Sequence, residues 1–137
     1  MKTSLAGISL KNPILIASGP LTASIDLLKR AEDNGAAGAS LKLTFEKVPF
    51  PGKLRSYSLP GKGLLFGIDR RLNKDEGLEL MRRGKEETSL VLMANITHPS
   101  SDLGKWKSLA KEFEQAGADI IEANLTCPHI GLPAEII

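Results

Sequence analysis

Cys127 is the only cysteine of this 137-residue chain. It stands in Asn124-Leu125-Thr126-Cys127-Pro128-His129, just past the apolar run Ile120-Ile121-Glu122-Ala123. A thiol with an ordinary pKa of about 8.5 can take or give a proton near neutral pH. A lone cysteine is often an inert buried side chain instead, but this one falls in a loop after a strand rather than within one. Other chemistry-bearing residues share that placement. Lys42 lies between Leu41 and Leu43, so its ammonium is either at the surface or drawn to a rim by an apolar stem. Asn95 follows the run Ser89 to Ala94, and Asn124 follows the run Ile120 to Ala123. Asparagine often ends a strand in a turn, yet two at matching strand ends offer amides that both donate and accept. Ser18-Gly19 follows another apolar run, and glycine lets a ligand approach the backbone. A lysine, two amides, small residues and a thiol suit a polar, planar ligand.

Other candidates are weaker. Cys127, His129 and His98 would supply three metal donors, but no spacing matches a zinc site, so no metal is expected. Gly61-Lys62-Gly63 lacks the preceding strand and following Lys-Ser/Thr of a phosphate loop. The pairs Arg70-Arg71 and Arg82-Arg83 read as solvated surface.

The elements that must carry these residues alternate between strand and helix. Pro13 to Ala17 reads as a buried strand ending at Ser18-Gly19-Pro20. Ser24 reads as an N-cap with Asp26 in the first turn. Leu27, Leu28 and Ala31 give that helix its apolar face, and Gly35 stops it. Ala39 to Leu43 is a second, weaker strand. Phe45 to Asp69 is broken by prolines and glycines and reads as a long loop. A helix follows over Lys74 to Arg83, then a strand over Ser89 to Ala94. Ser101 is the expected cap of the next helix, where Trp106, Leu109, Ala110 and Phe113 form one stripe. Asn-Gly-Ala and Ala-Gly-Ala each end a helix just before a strand. This order predicts a parallel sheet with helices outside, whose functional groups gather at the C-terminal strand ends.

Composition fits one soluble α/β domain over residues 1–137, with 42% hydrophobic and 25% charged residues. Eighteen basic residues are interspersed with sixteen acidic ones for a net charge of +2, and aromatics are 4%. Neither a basic stripe nor a stacking surface points to nucleic acid. The N-terminus resembles neither a signal peptide nor a membrane span. With one cysteine, no internal disulfide forms, which fits a reducing, cytoplasmic setting.

The segments AGISLKNPILIASGP, the Lys42 strand, LMANIT and EANLTCPH together resemble the class 1 dihydroorotate dehydrogenases. The Cys-Pro-His form is most similar to the dihydropyrimidine dehydrogenases. The resemblance runs from about Ala6 to His129 and is patchy in the middle. It implies an FMN-dependent oxidoreductase on a (β/α)8 TIM-type barrel, of which about the first four β/α units are expected here. It also implies roles. Ala17, Ser18 and Gly19 lie against the flavin. Lys42 contacts flavin and substrate. Asn95 binds FMN. Asn124 touches flavin and pyrimidine. Cys127 is the general acid or base. Thr126 stands where serine is usual.

The chain departs from the family pattern in three places. Gly67 or a neighbour in GLLFGIDRR replaces an asparagine that grips the pyrimidine. The stretch after His129 lacks the glycine-rich continuation of the dihydropyrimidine dehydrogenases. A full barrel takes about 250 residues. The competing expectation is therefore a half-barrel that is inactive, or that joins another copy or a complementing chain. An unrelated α/β enzyme for a phosphate ligand is a third reading.

Overall fold

The structure, a computed structural model, describes residues 2–46, 56–66, 71–99 and 101–125, with only the backbone in 56–58 and 64–66. Thr3–Leu5 (β1) and Ile8–Leu10 (β2) form an antiparallel hairpin. Its turn residues Ala6 and Gly7 both have positive φ, 48° and 81°, which matches the twist of a tight hairpin. The central sheet then begins with Leu15–Ile16 (β3), followed by helix α1 over Ile25–Asp33. Next come Gly38–Ser40 (β4) and Thr44–Phe45 (β5). Ser56–Leu59 (β6) and Gly63–Phe66 (β7) make a second hairpin. Leu72–Asn73 (β8) leads into α2, Lys74–Glu87. Val91–Ile96 (β9), α3 over Leu103–Gln115, and Ile120–Ala123 (β10) complete the order.

The strands β3, β4, β9 and β10 pair in chain order and all in parallel. The parallel ladder continues past β4, because Leu41 N–H donates to the Met93 carbonyl at 2.9 Å and β5 pairs with β9 through Thr44 and Ile96. A helix lies between each successive pair of these strands. The result is a curled parallel sheet, an open half-barrel of α/β type.

Side chains alternate across the sheet. Ala39, Leu41, Leu92, Ala94 and Ile96 join Leu28, Met81, Leu109 and Phe113 in one core beneath the helices. The residues between them face the other way. Two glycines allow close packing on the helix side. A Cβ at Gly77 would stand 2.6 Å from Thr44 Oγ1, and one at Gly84 would stand 2.5 Å from Leu92 Cδ1.

Several boundaries differ from the sequence expectation. The first strand is only Leu15–Ile16. The strand expected at Ser89–Ala94 starts later and ends later, so Asn95 lies within it. The expected long loop contains the hairpin β6–β7, turned by Pro60-Gly61 with Gly61 at φ 69°; that turn, and not a phosphate loop, explains Gly61-Lys62-Gly63. Helix α2 continues past Arg83 to Glu87, because Gly84 faces the core rather than ending the helix. Asp102, not Ser101, caps α3; its carboxylate accepts from Lys105 N at 3.0 Å. Ser24 occupies the N-cap of α1 without a side-chain hydrogen bond. Gly35 and Gly117 do close their helices, at φ 89° and 98°. Ala36 donates to Ala31 O and Ala118 to Phe113 O, each at 3.0 Å, satisfying carbonyls the helix leaves over.

Candidate functional site

The described site residues gather on the C-terminal rim of the parallel sheet. Asn95, 1% exposed, turns away from the helices because its neighbours Ala94 and Ile96 fill the core. Asn124 follows β10 directly and is held three ways. Its N–H donates to the Ile96 carbonyl at 2.9 Å. Its carbonyl accepts from Thr97 Oγ1 at 2.8 Å. Its Nδ2 donates to Asn95 Oδ1 at 3.3 Å. The two amides, 29 positions apart in sequence, are thus one unit. A carboxamide carries two N–H donors and an acceptor, so the joined pair can still present both kinds of group to a ligand.

Lys42 sits between β4 and β5 and is 7% exposed. Leu41 enters the core beside it, which sends Lys42 to the same face as Asn95. Its backbone N–H donates to the Thr22 carbonyl at 3.0 Å. Thr22 in turn closes the turn after β3: Gly19 N–H donates to Thr22 Oγ1 at 3.1 Å. This couples Ala17-Ser18-Gly19 to the Lys42 strand. Gly19 has only the Ala17 carbonyl, at 3.7 Å, near the place a Cβ would occupy.

On the same face lie Ser40 and Glu122, the latter level with Asn95, and the Ser40 hydroxyl donates to the Glu122 carboxylate. The sequence reading passed over both. A polar residue inside each of two otherwise apolar strand runs was the available signal.

Cys127, Thr126, His129 and Gly67 lie outside the described residues. His98 belongs to a different group, on the outer side of the rim. Its Nε2 lies 3.2 Å from Glu46 Oε2, and Lys105 Nζ is 3.5 Å from the same oxygen. The His98 hydrogen bond holds the Glu46 carboxyl below its ordinary value, with Lys105 adding to the effect. Nearby, Glu112 holds the Lys74 ammonium above its ordinary value. Among the described residues, no cluster of three or more His, Cys, Asp or Glu is arranged to hold a metal, and no helix is long and apolar enough to cross a membrane.

An ammonium, two linked amides and an approachable backbone on one rim fit the edge of a polar heteroaromatic ring such as that of FMN. Lys42, Asn95 and Asn124 would meet its heteroatoms, with Ala17 to Gly19 alongside.

No protein-family model matches the chain. Curated relatives do. It is 30% identical, over 97% of its length, to a chloroplastic dihydropyrimidine dehydrogenase (NADP(+)) of Arabidopsis thaliana, of which it covers 34%. It is 29% identical, over 94% of its length, to the catalytic subunit of dihydroorotate dehydrogenase B (NAD(+)) of Methanocaldococcus jannaschii, of which it covers 42%. It is 26% identical, over 95% of its length, to the NAD-dependent dihydropyrimidine dehydrogenase subunit PreA of Escherichia coli K12, of which it covers 33%. Over nearly its whole length, this chain is a sequence relative of the dihydroorotate and dihydropyrimidine dehydrogenases, spanning about a third to two-fifths of theirs.

Proposed function

We propose that the chain is part of an FMN-dependent oxidoreductase acting on the C–C bond of a dihydropyrimidine-like substrate. The supporting observation is the convergence of Lys42, Asn95 and Asn124 on one rim, in a chain whose relatives are dehydrogenases of such rings. When bound, FMN supplies the hydride acceptor or donor. Asn95 and Lys42 orient the flavin, and Asn124 reaches both flavin and pyrimidine. Cys127 takes the proton from the neighbouring carbon in oxidation and returns it in reduction. With Gly67 or a neighbour where the family has the asparagine that grips the pyrimidine, the substrate is one other than dihydroorotate or uracil. The setting is cytoplasmic.

The test is a visible spectrum of the purified chain after incubation with FMN and removal of free flavin. A retained, shifted flavin band is the expected result. Substrate-dependent bleaching should then follow in the wild type and be lost in Cys127→Ala, which keeps the band. Failure of the chain and its complexes to retain flavin overturns the reading.

A second reading is favoured by the open sheet. The half-barrel would work only after joining another chain or copy, or would be inactive. Flavin retained only in a species heavier than the monomer supports assembly.

A further inference from the structure

Ser40 and Glu122 lie on strands that do not touch. β9 runs between β4 and β10, so their backbones stand roughly 10 Å apart. The hydrogen bond between them therefore carries the Glu122 side chain across the inner face of β9. Glu122 pairs in register with Asn95, and Ser40 with Met93. Each stands two residues before a rim residue, Asn124 or Lys42, which is one pleat repeat of about 7 Å. The carboxylate thus stands beside the amide pair, level with Asn95. Barrel interiors are usually filled by branched apolar side chains, whereas Glu122 is exposed on this open face. Ser40, itself 3% exposed, is the anchor that fixes its carboxylate there.

We propose that Glu122, held by Ser40 beside the amide pair, sets the charge of the site, so that the site holds the more anionic, reduced form of its ring less tightly than it otherwise would. This inference rests on the flavin reading above. The sign follows from Coulomb's law: removing a negative charge from beside the site favours the anion. Glu122→Gln keeps the shape and an acceptor for Ser40 while deleting the charge.

The experiment is a spectroscopic redox titration of bound FMN combined with binding of oxidised FMN. In Glu122→Gln, the ratio of reduced to oxidised affinity should rise about tenfold, the order for unit charges roughly 10 Å apart at an effective dielectric near 20. Glu122→Asp should stay near the wild-type ratio, as should the exposed control Glu79→Gln. An unchanged ratio in Glu122→Gln overturns the proposal while leaving the flavin reading intact. If the wild type holds no flavin, the flavin reading fails separately. The side-chain amide NMR signals of Asn95 and Asn124 then decide for the flavin-free chain. Movement in Glu122→Gln but not in Glu79→Gln supports the proposal, and no movement overturns it.

Discussion

Asn95 concentrates the most consequence in one side chain. It is buried, it accepts from Asn124, and through that bond it fixes the start of the segment that carries Cys127. Asn95→Ala removes the acceptor and leaves the Asn124 amide without it. A lost buried partner costs about 1–3 kcal/mol. We expect a fall of that order in denaturant stability and a loss of FMN retention of about tenfold or more, read by flavin fluorescence titration. Leu103→Ala, at a position 75% exposed, should change neither. The amide pair was half legible in the sequence: two asparagines at matching strand ends were visible, but their mutual bond depends on the parallel register of β9 and β10. That register is set by long-range pairing. Ser40 and Glu122 were missed for a related reason. Within each short apolar run, one polar residue reads as an interruption until the sheet shows that both interruptions face the same way.

At the scale of elements, the strand–helix order was readable because each helix has a periodic apolar face and two end in a glycine with positive φ. The hairpins were not, since strands of three or four residues carry too little alternation to separate from a loop. Packing of β4 against β9 yields a sharp prediction. A Cβ at Gly38 would lie 2.4 Å from the Val91 backbone carbonyl and 2.9 Å from Leu15 Cδ2. The backbone oxygen cannot swing aside. Gly38→Ala should therefore cost about 3 kcal/mol, seen as a lower denaturation midpoint, and should disturb Lys42 a few residues on. Acid should loosen the ties between elements. Glu32 accepts from the Ser89 hydroxyl and from Ser89 N at 2.8 Å, joining α1 to the start of β9, and these bonds hold its carboxyl below its ordinary value of 4.5. Glu87 is lowered likewise, first by Lys29 and then by Arg83. A carboxyl depressed in the folded state contributes stability above its unfolded pKa and loses it as pH falls through the folded value. Between about pH 5 and about pH 3, the wild type should lose more stability than Glu32→Gln. Equal acid limbs for the two proteins would mean that Glu32 holds nothing together.

For the whole molecule, the open sides of the sheet matter most. Among the described residues, β3 pairs only with β4, and β10 pairs only with β9. Unpaired strand edges present backbone donors and acceptors that another strand can take up. The β3 side also carries apolar surface: Ile14 is 56% exposed and Leu21 43%. Beside them runs a cleft of about 160 Å³ lined by Ile16, Leu21, Leu27, Arg30, Ala31 and Asn34. Burying such surface against a second copy or a complementing chain would contribute about 25 cal/mol per Å² of apolar area and satisfy the free edge as well. We therefore expect sedimentation equilibrium to give a mass above 14.7 kDa that rises with concentration. Leu21→Glu, which places a charge in the cleft while leaving the core residues in place, should shift that equilibrium towards the monomer without changing the circular dichroism. A monomer at every concentration would rule out self-association and leave a different chain as the companion, or an inactive half-barrel. Association that Leu21→Glu leaves intact would instead place the contact on the β10 side, where Leu125 is 60% exposed, next to the amide pair on which the proposed chemistry depends.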